Sequence, residues 1–327
     1  AMVPLRAAKK ALDNANGVQL ALVLRCIGRC SIEMGTLLVE GAAAIEKAKQ
    51  INDDVFGYGK KEIIPSYLLA SEMMCLMGQN GQAEEVIAKA QDTCQCSLGS
   101  HPDHALCFAM RSLHGLTVGA YGKCRSDLNT AQLMYSDTLG CDSLECMQTW
   151  VWTARVELRI GDYTRMLLSI QNAERIILLR LGKDSFGWAQ CLVLHAQQCI
   201  GVGDHVTGGE YIDEARELLD VLFTVPDIEV VDATEDAIAN AIFAVRTDLS
   251  PSGKKTFLEE KKKKTKRIIT PLDCELLRLR ASVHFDFGRM GAAEMDLMKA
   301  REHIEMCYGH TPQTGDVLVE LARLRLR

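Results

Sequence analysis

Apolar residues recur at helical spacing along most of the chain, in segments of 14–18 residues bounded by glycine. "AQLMYSDTL", "AERIILLRL" and "ARELLDVLF" each place apolar side chains three and four positions apart, which puts them on one face of a helix. The glycines form two series. One holds Gly57, Gly99, Gly140 and Gly182; the other holds Gly35, Gly78, Gly119, Gly161 and Gly203, with gaps of 43, 41, 42 and 42. Gly288 and Gly309 extend the two series by two and three periods. The series are offset by about half a period, so each unit contains two helices and two turns. Glycine at a helix end supplies the left-handed cap.

Other residues keep the same period. Pro65, Pro102, Pro271 and Pro312 fall where first helical turns are expected. Asp142 with Glu145, and Thr270 with Asp273, have the spacing of an N-cap and its third helical residue. Gly28, Ser71, Ser112, Ala154, Ala196, Ala239 and Ala281 recur in the first helix of each unit, and Ala48, Ala90, Ala131, Ala173, Ala215 and Ala300 in the second. Small side chains at these points let helix backbones approach closely.

These intervals predict an all-α chain. It is a right-handed superhelical solenoid of about seven helix-turn-helix repeats, each burying its apolar face only against its neighbours. The array takes up residues 1–327 as one domain. A short helix precedes repeats at 17–56, 60–98, 102–139, 143–181, 185–223, 229–268 and 271–308, and a capping helix at 313–327 closes it. The repeat at 229–268 is irregular. Ala239 keeps the period, but "TDLSPSG" replaces the turn and "FLEEKKKKTKR" follows, so a longer connection or a distorted second helix is expected there.

"ARVELRIGDYTRMLLSIQNA" (154–173) and "GAYGKCRSDLNTA" (119–131) resemble tetratricopeptide (TPR) repeats. The usual unit has 34 residues; the 42-residue unit here, with "GSHPD" at 99–103 between hairpins, resembles kinesin light chain and its relatives. The turn tyrosine is present at Tyr121 and Tyr163, whereas His205 and Met290 hold the equivalent places. No asparagine and lysine pattern of the kind that grips a C-terminal carboxylate in chaperone-binding relatives is apparent, which argues against a cochaperone role. No heptad segment precedes the array. The resemblance implies a non-enzymatic scaffold or adaptor in a motor-cargo, cytoskeletal or ciliary assembly. It also implies a basic concave wall that takes up short peptides bearing aromatic and acidic residues.

Composition narrows the class further. A formal net charge of −6 gives no general attraction for nucleic acid. No apolar run is long enough to span a bilayer, and the N-terminal residues lack a secretory signal. The 13 cysteines therefore read as reduced thiols in a cytoplasmic chain, with a cytoskeletal association implied by the resemblance. Ala1 before Met2 reads as a cloning remnant, and the final helix reaches Arg327 with no polar tail, so a continuation is expected.

Candidate chemistry is sparse. Cys94, Cys96, His101, His104 and Cys107 are zinc-ligand types, but residues two apart on a helix point away from each other, so no metal site is assigned. "GYG" (57–59) and "GVGDHVTGG" (201–209) follow no strand and complete no nucleotide-binding fingerprint. No nucleophile elbow or metalloprotease helix is present, so neither catalysis nor a cofactor is expected. "EEKKKKTKR" (259–267) is read as a solvated face or loop, with a nuclear-import signal as the alternative.

Trp150 and Trp152 share one first helix with Arg155 and Arg159. First helices line the concave wall of such arrays. The peptide-binding groove is therefore assigned to Arg111, Leu113, Gln148, Trp152, Arg155, Arg159, Gln190 and Gln197. Its occupant is expected to be a protein or peptide with acidic and aromatic residues; no nucleic acid and no membrane insertion are expected. A structural spacer in a larger complex, or the regulatory TPR region of an enzyme, is the alternative. Neither the partner nor the oligomeric state is encoded in a legible motif.

Overall fold

The computed structural model describes residues 6, 9, 17–34, 38–226, 265–267, 269–308 and 312–325. Among the described residues, thirteen α-helices follow one another in antiparallel pairs: α1 (Val18–Met34) with α2 (Leu38–Phe56), α3 (Ile64–Leu76) with α4 (Asn80–Ser97), α5 (Pro102–Val118) with α6 (Tyr121–Leu139), α7 (Leu144–Ile160) with α8 (Tyr163–Arg180), α9 (Phe186–Gly201) with α10 (His205–Phe223), and α11 (Pro271–Asp286) with α12 (Met290–Tyr308). α13 (Pro312–Arg325) packs on α12. Each second helix packs on the first helix of the next pair. First helices also pack on first helices along the array, whereas second helices are held further apart. That asymmetry curves the stack, with first helices on its concave side.

Short-range chemistry sets the ends of the helices. Gly119 and Gly161 close α5 and α7 with φ of 82° and 84°, in the left-handed region where a side chain would be strained. Asp162 and Asp204 cap α8 and α10 by accepting from the backbone N–H of Arg165 and Thr207, both at 3.1 Å. Thr270 and Asp273 form the expected capping box, with Thr270 N–H donating to Asp273 at 2.7 Å. The Asp142 pair is different. Ser143 is the cap of α7, accepting from Cys146 N–H at 3.2 Å. Asp142 lies one residue too early and instead pairs with Arg175 at 2.6 Å.

The periodic small residues form the inter-helix seams. Ala48, Ala131, Ala173, Ala215 and Ala300 have no exposed surface, and Ala90 almost none. A Cβ added to Gly28 would come within 2.2 Å of Ile45. Larger residues fill the space between pairs in successive buried clusters, such as Ile170, Ile176, Ile177 and Leu194 around the fourth and fifth pairs.

The stacking order departs from the sequence reading at one place. Among the described residues, the hairpin that begins at Pro271 follows the fifth pair: α11 packs directly on α9 and α10, and Leu272 and Leu276 share a core with Leu192 and Leu219. A two-stranded antiparallel ladder explains the direct contact. β1 (Thr224–Pro226) pairs with β2 (Thr265–Arg267), with Thr224 opposite Arg267. The chain thus returns beside its point of departure, in time for α11 to dock on α10. Ala239, the replaced turn and the lysine run lie outside the described residues. So do the short helix before the first pair, apart from Arg6 and Lys9, and the end of the capping helix.

Candidate functional site

Taking the periodic small residue of a first helix as an origin, the residue before it in α5, α9 and α11 reaches the second helix of its own hairpin, and in α5 and α9 that of the preceding one as well. Arg111, before Ser112, reaches Asp127 of α6 with both nitrogens, at 2.7 and 2.5 Å, and Gln91 of α4 at 2.9 Å. Arg280, before Ala281, makes the same two-pronged contact with Asp296 at 2.8 and 2.6 Å. His195, before Ala196, meets Glu174 at 2.9 Å and stacks on Tyr211. Arg111 therefore holds layers together and lies over the Phe108 ring; its charge is spent inside the array.

In α7, α9 and α11, positions one, four and five after the small residue contribute to the concave wall. Gln197 and Ser282 take the first of these places. Leu158, Arg159 and Phe285 take the others. Together with α11 and α13 these positions enclose a groove of about 770 Å³. Its wall contains Leu158 and Arg159 from α7, Gln197 from α9, Arg278 and Phe285 from α11, and Arg323 from α13.

Glu275 is the electrostatic centre of this groove. Gln197 Nε2 donates to it at 2.6 Å, and Arg155 approaches its other oxygen at 3.8 Å. One turn along, Arg278 pairs with Glu320 of α13 at 2.5 and 3.2 Å. Two cations are left over: Arg159 and Arg323 make no ion pair among the described residues. Two polar atoms are also left over. Arg155 Nε and Gln197 Oε1 are buried with no hydrogen-bond partner among the described residues. Such a group costs about 1–3 kcal/mol while unsatisfied.

Of the eight residues assigned from sequence, Arg159 and Gln197 line the groove, and Arg155 borders it through Glu275. Trp152 is half-buried and packs against apolar clusters of three neighbouring layers. Leu113 packs on the core of the second pair, and Gln148 and Gln190 are half-buried. The sequence reading missed Glu275, Arg278, Glu320 and Arg323. A signal existed for one pair, since Arg278 and Glu320 stand 42 residues apart with opposite charge.

The cysteine and histidine cluster does not converge. Cys94 and Cys107 are buried with sulfurs 3.5 Å apart, while Cys96 is exposed on the far side of α4. His101 Nδ1 accepts from Asp103 N–H, and His104 bonds to the Gly99 carbonyl at 2.8 Å. Among the described residues, no three metal-ligand side chains gather, and no helix is long and apolar enough to cross a membrane.

Comparison with solved structures places the architecture. The apo form of RapI is similar over 92% of this chain and 90% of that one, with a TM-score of 0.56 at 12% identity. The fold is a TPR-like helical solenoid. Lower-scoring likenesses include BtubC (BKLC) from P. vanneervenii, TM-score 0.49 at 12% identity over 85% and 94% of the two chains. A Podosopora anserina putative kinesin light chain with nearly identical TPR-like repeats has a TM-score of 0.47 at 13% identity, over 67% and 96%. No protein-family model and no curated protein matches the sequence. At such identities the likeness is one of fold, and the groove must be read from its own side chains.

Proposed function

We propose that this TPR-like solenoid is a non-enzymatic scaffold or adaptor that binds a peptide segment of a protein partner in the concave groove between α7 and α13. One observation supports this most: Arg159 and Arg323, which make no ion pair among the described residues, line one groove with Leu158, Gln197 and Phe285. A segment carrying carboxylates would meet the arginines. An aromatic anchor would lie against Leu158 and Phe285. The proposed setting is a motor-cargo, cytoskeletal or ciliary assembly, following the resemblance of the 42-residue unit to kinesin light chain.

The test is fluorescence anisotropy with a library of labelled acidic peptides, each containing one tryptophan. Arg159→Glu with Arg323→Glu should abolish binding while circular dichroism stays unchanged. Equal binding by the reversed variant would remove the groove from the account and favour a spacer held by its outer face.

A further inference from the structure

Three contacts in one register join α4 to α5. Asn80 accepts from the Thr117 hydroxyl at 3.0 Å, Gln91 accepts from Arg111 at 2.9 Å, and Cys94 Sγ lies 3.5 Å from Cys107 Sγ. Numbers rise along α4 as they fall along α5, so the three are rungs of one antiparallel seam. Helix register therefore sets the thiol contact, not a chance turn of one side chain. The same place recurs in other seams. Four residues after Ala48 and five before Ser71, Asn52 Nδ2 donates to Ser66 Oγ at 2.7 Å. Four after Ala90 and five before Ser112 stand Cys94 and Cys107. Four after Ala173 and five before Ala196 stand Ile177 and Cys191, both buried. No other seam among the described residues carries thiols on both sides at this place.

We propose that Cys94 and Cys107 are a modification site, oxidised by hydrogen peroxide to a disulfide that staples the second pair of helices to the third. A disulfide holds its sulfurs about 2 Å apart, so the gap closes by about 1.5 Å through small side-chain rotations. The first sulfur, as thiolate, attacks a peroxide oxygen. The O–O bond breaks, a sulfenic acid forms, and the departing hydroxide takes the thiol proton and leaves as water. The second sulfur then attacks the sulfenic sulfur. An S–S bond replaces the S–O bond, and the second proton departs with the hydroxide as another water. Each sulfur gives up one electron and the peroxide takes both.

Burial sets the rate and protects the product. Neither cysteine has exposed surface. The hydrogen bond with Cys94, with burial as the second cause, holds the Cys107 thiol well above its ordinary range, and the thiolate is the nucleophile. The reaction is therefore slow and waits on opening of the seam. Exposed Cys26, Cys96 and Cys141 react first. A sulfenic acid formed inside the seam has the other sulfur in contact, ahead of any second peroxide, so oxidation stops at the disulfide. The bond closes a loop between residues 13 apart, which restricts the unfolded chain and stabilises the folded one. Sustained oxidation is thus recorded as a locked junction between layers, away from the α7–α13 groove.

Treatment of the full chain with hydrogen peroxide, then alkylation in urea and a non-reduced digest read by mass spectrometry, tests this. A peptide joined through Cys94 and Cys107, two hydrogens lighter than its parts, is expected. The melting temperature should rise by several degrees and fall back after dithiothreitol. Cys107→Ser and Cys94→Ala should each lose both the joined peptide and the rise; serine already holds the equivalent place at Ser66. Alkylated Cys94 and Cys107 in a sample whose exposed cysteines have been oxidised would overturn the inference. So would a joined peptide whose formation leaves the melting temperature unchanged or lowers it. Neither assay reads peptide binding, so the outcome is independent of the groove.

Discussion

Gln197 Nε2 donates to Glu275 at 2.6 Å, joining residues 78 apart in sequence. The bond exists because α11 stacks directly on α9, and it makes Glu275 the carboxylate that restrains both Gln197 and Arg155. Glu275→Ala removes this internal competitor. The variant should bind acidic peptides several-fold more tightly, with a steeper salt dependence, because Arg155 becomes available. It should also lose about 1 kcal/mol of stability from the missing hydrogen bond. Anisotropy titrations at two salt concentrations, beside a urea melt, check both outcomes.

Arg111 behaves in the opposite way. Its two-pronged bond to Asp127 is mostly shielded, with the Asp127 side chain only 6% exposed. Arg111→Ala leaves that carboxylate without its cation, and removing one partner of a buried pair costs up to about 3–5 kcal/mol. Arg111 itself is 26% exposed, so a loss of about 1–3 kcal/mol is expected. Peptide affinity, measured below the melting transition, should not change. Full stability together with lost affinity would return Arg111 to the groove.

The contrast between these residues explains what the sequence could and could not reveal. Fixed intervals of glycine and alanine reported the hairpins, because a seam such as Ala131 or Ala173 depends on local spacing alone. Arg111 looked like a groove residue because its place differs from that of Leu113 by two residues; only the direction of its side chain separates hairpin pairing from the concave wall. Glu275 and Arg278 were hidden for another reason. Their position depends on which layer follows α10, and the β1–β2 ladder decides that through a pairing of distant residues. Asp142 has the spacing of a cap, yet Ser143 wins because its hydroxyl reaches Cys146 N–H and Arg175 engages Asp142.

Buried thiols predict a loss of stability in alkali. Burial, with Glu72 and Glu174 as the lesser causes, pushes Cys75 and Cys191 up to about 12. An unfolded thiol titrates near 8.5. The folded state therefore holds more protons than the unfolded state above that point. The contribution is full below pH 8.5 and is lost as pH rises towards 12. Each thiol removes about 1.4 kcal/mol by pH 9.5, below the range in which tyrosines ionise. In urea melts, Cys75→Ala with Cys191→Ala should shrink the loss between pH 7.5 and 9.5 by about 3 kcal/mol. An unchanged pH slope would contradict this burial.

Two glycines in neighbouring helices should respond oppositely to the same substitution. Alanine favours a helix over glycine by up to about 1 kcal/mol. At Gly209 in α10, an added Cβ meets nothing within 4 Å, so Gly209→Ala should stabilise the array. At Gly201, the last residue of α9, the added Cβ would lie 2.2 Å from a ring carbon of Tyr163. That tyrosine opens α8 and packs against the core of the fourth and fifth pairs. Its ring cannot retreat without losing that packing, and overpacking of this kind costs about 1–3 kcal/mol. Gly201→Ala should therefore destabilise. In a Tyr163→Leu background the same change should cost little or become favourable, giving a coupling energy of about 1 kcal/mol or more in a double-mutant cycle. Additive effects would show that the turn tyrosine does not read the layer above it.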